Sequence, residues 1–227
     1  VNWKHYLEIK EKKVRLINVG IDIDGVLRVF FPHALNHFIN AYPEYAQYFK
    51  KPYDIFDYDA HHWILNSAPN KESLLEKFNH HMYAGESCLD IYSNAPIYND
   101  ATDFNSQIQK LKSALSGIVD VNVCFASYQD GYEMKQGTIY WLKNHNITNF
   151  DGVIFSKHKD RYGLTYLLED NVGNAHKAQL SGVVSMLRLR PYNESCRHEF
   201  EYLISRFSEY IDHIISIEKI NYMEDKQ

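Results

Sequence analysis

Two carboxylates one residue apart, Asp22 and Asp24, end an apolar run and precede a glycine in Ile21-Asp22-Ile23-Asp24-Gly25-Val26-Leu27. Packing alone gives no reason to put two acids there. Converging carboxylates offer hard oxygen ligands for magnesium, a nucleophile, or a proton donor and acceptor. Downstream the chain supplies Ser127 and the acid pair Glu169-Asp170, with Lys135, Lys157 and Lys159 in between. A serine hydroxyl donates to a phosphate oxygen, and a lysine neutralises phosphate charge. Gly25 permits a tight turn whose backbone N–H groups face an anion. Together these residue types point to phosphoryl chemistry around a bound cation.

Only a tertiary fold unites residues so far apart. Val14–Asp22, Val119–Ser127, Gly152–Ser156, Tyr166–Asp170 and Gly182–Leu187 read as strands. Helical spacing over Asn105–Leu115, Lys135–His145 and Val172–Leu180 alternates with them. That alternation predicts an α/β fold, a Rossmann-like three-layer parallel sheet with helices on both faces. Sites in such sheets lie outside the carboxyl ends of the strands, so Asp22, Ser127 and Asp170 should converge. In the long segment after the first strand, Leu35, Phe38, Ile39 and Tyr42 share a helix face, and Asn70-Lys71-Glu72-Ser73 reads as a helix start. The expected organisation is a core of 14–29 and 95–194, a small helical insertion over 30–94, and a C-terminal helix and tail over 195–227. Residues 2–13 read as a charged arm or short helix, and Glu199–Ile217 as the final helix, packed in cis or across a homodimer.

The hydrophobic content of 45% in 227 residues supports one sizeable core or a core with a small accessory domain. A net charge of −5 argues against stable nucleic-acid binding. No stretch reaches the ~18 to 20 apolar residues of a membrane span, and Val1-Asn2-Trp3-Lys4-His5 has no apolar signal region. Cys88, Cys124 and Cys196 are odd in number and widely spaced, which favours neither disulfides nor zinc and suits a cytoplasmic setting. His61-His62 and His80-His81 hint only faintly at a transition metal, because adjacent histidines on a helix do not share a face.

In order along the chain, Asp22-Ile23-Asp24-Gly25-Val26-Leu27, the strand ending in Ser127, a lysine, and Leu167-Leu168-Glu169-Asp170 resemble the four motifs of the haloacid dehalogenase-like superfamily. The resemblance implies a phosphatase with a helical cap over residues 30–94. Asp22 would be the nucleophile that forms an aspartyl-phosphate, and Asp24 the general acid and then base. That task needs a carboxyl holding its proton near neutral pH, so neighbouring acids or burial should favour the protonated form. Mg2+ would be held by Asp22, the Asp24 carbonyl and Asp170, with Glu169 directly or through water. Ser127 would bind the phosphoryl group, aided by the Tyr128 backbone N–H. Lys159 fits the third motif, with Lys157 and Lys135 as rivals.

More narrowly, Tyr132-Glu133-Met134-Lys135, Trp141-Leu142, Ile154-Phe155-Ser156-Lys157-His158-Lys159 and the fourth motif look like the 5'(3')-deoxyribonucleotidase branch. Glu169, His158 and Tyr128-Gln129-Asp130 depart from its pattern. This implies a small phosphorylated substrate, a (deoxy)nucleoside monophosphate. The cap aromatics Phe30, Phe31, Tyr42, Tyr45, Phe49, Tyr53, Phe56, Tyr58 and Trp63 would mostly form the cap's own core. Phe30 and Phe31 are the choice for stacking a base. Sugar phosphates, nucleic-acid 3'-phosphate ends and a non-catalytic phosphate-binding role are the alternatives.

Overall fold

The computed structural model describes residues 14–51 and 59–226. The expectations for residues 2–13 and for Tyr53, Phe56 and Tyr58 lie outside the described residues.

Apolar alternation builds the centre. In β1 (Arg15–Ile21), Ile17, Val19 and Ile21 are fully buried. In β2 (Val119–Ser127), Val123 and Phe125 face one cluster while Cys124 and Ala126 face another. That period of two is what a sheet covered on both faces requires. With β3 (Gly152–Phe155), β4 (Tyr166–Glu169), β5 (Val184–Arg188) and β6 (Leu203–Ile204), they form one sheet in the order β3-β2-β1-β4-β5-β6. Every pairing is parallel. The order reverses at β1, so a crevice opens beyond the carboxyl ends of β1, β2 and β4.

On one face α4 (Phe104–Ala114) and α7 (Phe207–Glu224) pack Phe104, Ile108, Leu111, Phe207, Ile211 and Ile214 against the sheet. On the other, Ala178 of α6 (Val172–Leu180) joins Cys124, Ala126 and Leu167. Between β1 and α4 lie α1 (Phe30–Ala41), α2 (Lys71–Tyr83) and α3 (Cys88–Asn94). They share an apolar cluster centred on Phe38, Trp63 and Phe78. Asn70 caps α2 by accepting from the Ser73 N–H at 3.0 Å. His37 bridges His81 and Asp90, 2.9 Å from each, and so ties the three helices together. Burial and the neighbouring His37 push His81 down to about 4. α3 rests on α5 (Tyr132–Asn144) across Gly137, where a Cβ would stand 2.6 Å from the Tyr92 Cβ.

Two expectations change at the C-terminal end. Gly182–Leu187 is not the last strand, because Leu203 and Ile204 pair with Leu187 and Arg188 of β5. The final helix begins at Phe207 rather than Glu199, since Glu209 accepts from the Ser205 and Arg206 N–H groups at its start. It packs in cis on α4. Among the described residues, no helix is long and apolar enough to cross a membrane, and the three cysteines are free.

Candidate active site

β1 and β4 deliver three acids to one point. One carboxylate oxygen from each of Asp22, Glu169 and Asp170 lies within 4.8 Å of the others. All three side chains are buried, Glu169 and Asp170 completely. Among the described residues, the Lys159 ammonium pairs with two of them. Lys159 Nζ stands 2.9 Å from Asp22 Oδ1 and 2.6 Å from Glu169 Oε2, itself only 3% exposed. Asp22 Oδ1 also accepts from the Ile23 N–H at 2.8 Å. Glu169 Oε1 accepts from the Asn171 N–H at 3.1 Å.

Negative charge is in surplus, and protonation should follow it. Burial and the Glu169 carboxylate push Asp22 well above the ordinary carboxylate range, against the pull of Lys159. Burial also raises Glu169. The two acids outweigh burial on Lys159 and hold its ammonium charged. Oxygen donors of this hardness, underneutralised and turned together, suit a small divalent cation such as magnesium. Gly25, at φ +74°, makes the approach possible, because a Cβ there would overlap Asp170 Oδ2.

This sets a pH dependence. Asp22 and Glu169 bind protons more tightly folded than at their ordinary values of 3.8 and 4.5. Stability from these groups is therefore greatest below the ordinary values. It falls as pH rises toward the raised ones. Melting temperatures in chelator should decline as pH rises from that range toward neutrality, and saturating magnesium should flatten the slope. Superimposable slopes with and without magnesium would remove the cation from this cluster.

A cavity of about 450 Å³ opens over the acids. Asp22, Asp24, Ser127, Lys159 and Glu169 line its polar floor, while Phe30, Phe31, Tyr83, Tyr92 and Tyr128 wall it. Asn171, Asn174 and Asp130 add polar groups.

The chain is similar in fold to a haloacid dehalogenase-like hydrolase from Streptococcus pneumoniae. Identity is 13% over 88% of this chain and 98% of that one, at a TM-score of 0.58. A HAD-hydrolase from Bacillus subtilis, determined bound to magnesium, matches 89% of this chain and 99% of its own at 13% identity and a TM-score of 0.52. A β-phosphoglucomutase from Clostridium difficile matches 91% and 99% at 13% identity and 0.52. The fold is haloacid dehalogenase-like. No family model matches the chain, and no curated protein matches it in sequence.

Within the haloacid dehalogenase-like fold, the residues expected from sequence divide. The cavity gathers Asp22, Asp24, Ser127, Tyr128, Phe30, Phe31, Lys159 and Glu169, with Asp170 and Gly25 immediately behind. Lys135 and Lys157 are not in its wall. Lys135 lies in the first turn of α5, and Lys157 is exposed. Among the aromatics of residues 30–94, Phe49 and Trp63 are core residues, and Tyr42 and Tyr45 pack beside them. Among the described residues, no histidine belongs to a group with metal-holding geometry.

Asp24 has a cation as its side-chain partner. Arg28 Nε donates to Asp24 Oδ1 at 2.7 Å and Nη2 to Oδ2 at 3.0 Å, a two-pronged fork. Arg28 is fully buried. It donates to the Tyr92 carbonyl at 2.7 Å and lies under the rings of Tyr92 and Trp141. Gln129 closes the group: with its amide turned to match its surroundings, the oxygen lies 2.9 Å from Arg28 Nη2 and the nitrogen 3.1 Å from the Met134 carbonyl. Neither Arg28 nor Gln129 was foreseen. The available signal was an arginine inside the apolar run Val26-Leu27-Arg28-Val29-Phe30, since a buried cation must have a partner.

Proposed function

We propose that the chain is a magnesium-dependent phosphomonoesterase acting through an aspartyl-phosphate on Asp22. The observation that carries this is the meeting of Asp22, Glu169 and Asp170 around Lys159 on the floor of a cavity that also holds Ser127. Asp22 Oδ2 attacks phosphorus, and the leaving oxygen takes a proton. Ser127 and Lys159 hold the phosphoryl oxygens. Asp24 carries the proton to the leaving group and then withdraws one from the hydrolytic water, for which it must leave the Arg28 fork. Asp22 and Asp170 would hold the magnesium, with Glu169 completing the site and anchoring Lys159. The ion supplies charge stabilisation for the phosphoryl group.

The five aromatics of the wall favour a base-bearing substrate, a (deoxy)nucleoside monophosphate, because every base offers a π-face to stack. Asn171, Asn174 and Asp130 favour a second reading, a hydroxyl-rich sugar phosphate. A screen of nucleoside 5'- and 3'-monophosphates against hexose and pentose phosphates, with and without magnesium, separates the two. The expected result is magnesium-dependent phosphate release with kcat/KM at least about tenfold higher on the preferred nucleotide, equivalent to ~1.4 kcal/mol. Higher turnover of sugar phosphates overturns the nucleotide reading. No phosphate release from any ester, p-nitrophenyl phosphate included, overturns the phosphatase.

A further inference from the structure

The segment Arg190-Pro191-Tyr192-Asn193, just after β5, carries no motif, yet it touches both sequence-distant halves of the acid cluster. Arg190 donates to the carbonyls of Gly25 at 2.5 Å and Val26 at 3.0 Å, in the turn after Asp24. Its guanidinium lies 3.6 Å from the centre of the Tyr98 ring. Asn193, 1% exposed, donates from Nδ2 to the carbonyls of Asp170 and Arg188, both at 2.8 Å. Its Oδ1 accepts from the Arg190 N–H at 2.8 Å, which closes the segment on itself. Tyr192 donates its hydroxyl to Asp170 Oδ2. The hydroxyl oxygen occupies space that a Cβ on Gly25 would contest. The same ring stands edge-on to Phe31 of the cap, 6.1 Å between centres and 88° between planes.

We infer that this segment is a clamp and that Tyr192 is a positioning residue for the cation. It rests on the proposed reading that Asp22, Glu169 and Asp170 hold magnesium. Asn193 and Arg190 fix the backbones of the fourth-motif acid and the first-motif turn relative to each other. Tyr192 then fixes the rotation of the Asp170 carboxylate, since a hydroxyl on Oδ2 determines which lone pairs remain for the ion. Hydrogen bonds of this kind orient a metal ligand and tune its basicity, and their loss commonly costs about 10- to 100-fold in metal affinity. Through its contact with Phe31, Tyr192 also links the cation's ligand to the first helix of the cap.

Tyr192→Phe tests this, because it keeps the ring and the Phe31 contact and removes only the hydroxyl. Magnesium is titrated into wild type and Y192F without substrate, followed by calorimetry and by the rise in melting temperature. Y192F should show a dissociation constant about 10- to 100-fold higher. Its metal-free melting temperature should stay near that of wild type. Equal magnesium affinity in the two proteins overturns the clamp and leaves the metal site standing. Failure of wild type to bind magnesium overturns the metal reading and the clamp with it. A fall in metal-free melting temperature with unchanged affinity would make Tyr192 a packing residue and overturn its positioning role.

Discussion

Asp22→Asn should lower phosphatase turnover by roughly three orders of magnitude or more, the scale on which removing a nucleophile acts. The substitution changes little else. Asparagine has the same shape, and its oxygen can still accept from the Ile23 N–H and face Lys159, the partners that Asp22 Oδ1 has now. What disappears is an anionic oxygen able to bond to phosphorus, because an amide has no comparable nucleophilicity. Folding should move the other way. Burial and Glu169 already oppose the charge on Asp22, so removing that charge relieves the metal-free cluster. The variant should therefore melt at a higher temperature than wild type in chelator while being nearly inactive in magnesium. Steady-state kcat on the best ester from the screen, beside a thermal melt, checks both halves. Turnover within tenfold of wild type would take Asp22 out of the chemistry. A lower melting temperature would mean its charge is better compensated than the geometry indicates.

The partner of Asp24 is set by contacts distant in sequence. The motif placed an acid two residues after Asp22 and suggested acidic neighbours or burial for it. The structure gives it the Arg28 guanidinium instead. Arg28 is fixed by the Tyr92 carbonyl and by rings from α3 and α5, contacts that join residues 28, 92 and 141 and leave no trace in local spacing. They also put the fork beside the two chain segments that flank residues 30–94. The Val29 N–H donates to the Pro96 carbonyl at 2.8 Å, and the Tyr98 N–H to the Leu27 carbonyl at 2.8 Å.

Elsewhere the sequence was readable in proportion to how local the determinant is. β2 and α6 were located to the residue because alternation or helical spacing runs through their whole length. The Asn70 cap was visible because capping is decided within four residues. β6 was missed because two residues cannot show a period. Phe200, Leu203 and Ile204 looked like a helix face, yet Phe200 joins Ala175 and Leu187 while Leu203 and Ile204 pair in the sheet. The choice among three lysines was likewise not local. Only the short turn Lys159–Arg161 decides which one points at Asp22 and Glu169. The 190–193 segment carried no recognisable pattern, since its partners, the carbonyls of Gly25, Val26, Asp170 and Arg188 and the Asp170 carboxylate, are brought together only by the fold.

Lys159→Met should cost about 3–5 kcal/mol of stability in metal-free protein at neutral pH, the usual penalty for breaking a buried ion pair from one side. Methionine fills much the same space, so little of this is cavity. The loss comes from Asp22 and Glu169, which would face each other in the interior with no ammonium between them. Two remedies should each recover part of it. Acidification toward the ordinary carboxylate range neutralises the pair, so the gap from wild type should narrow as pH falls. Magnesium supplies the missing positive charge, so its stabilising increment should be larger in the variant than in wild type. Adding Glu169→Gln removes one of the facing charges, and K159M/E169Q should be more stable than K159M alone. That is a non-zero coupling energy, where independent sites would simply add. Denaturant melts of the four proteins, with and without magnesium, measure the cycle. An additive cycle would mean that Lys159 and Glu169 do not compensate each other. The reading of Lys159 as the single ammonium offsetting a cluster of buried acids would then be wrong. A non-additive cycle that magnesium abolishes is what this geometry predicts, because ion and ammonium then neutralise the same carboxylates.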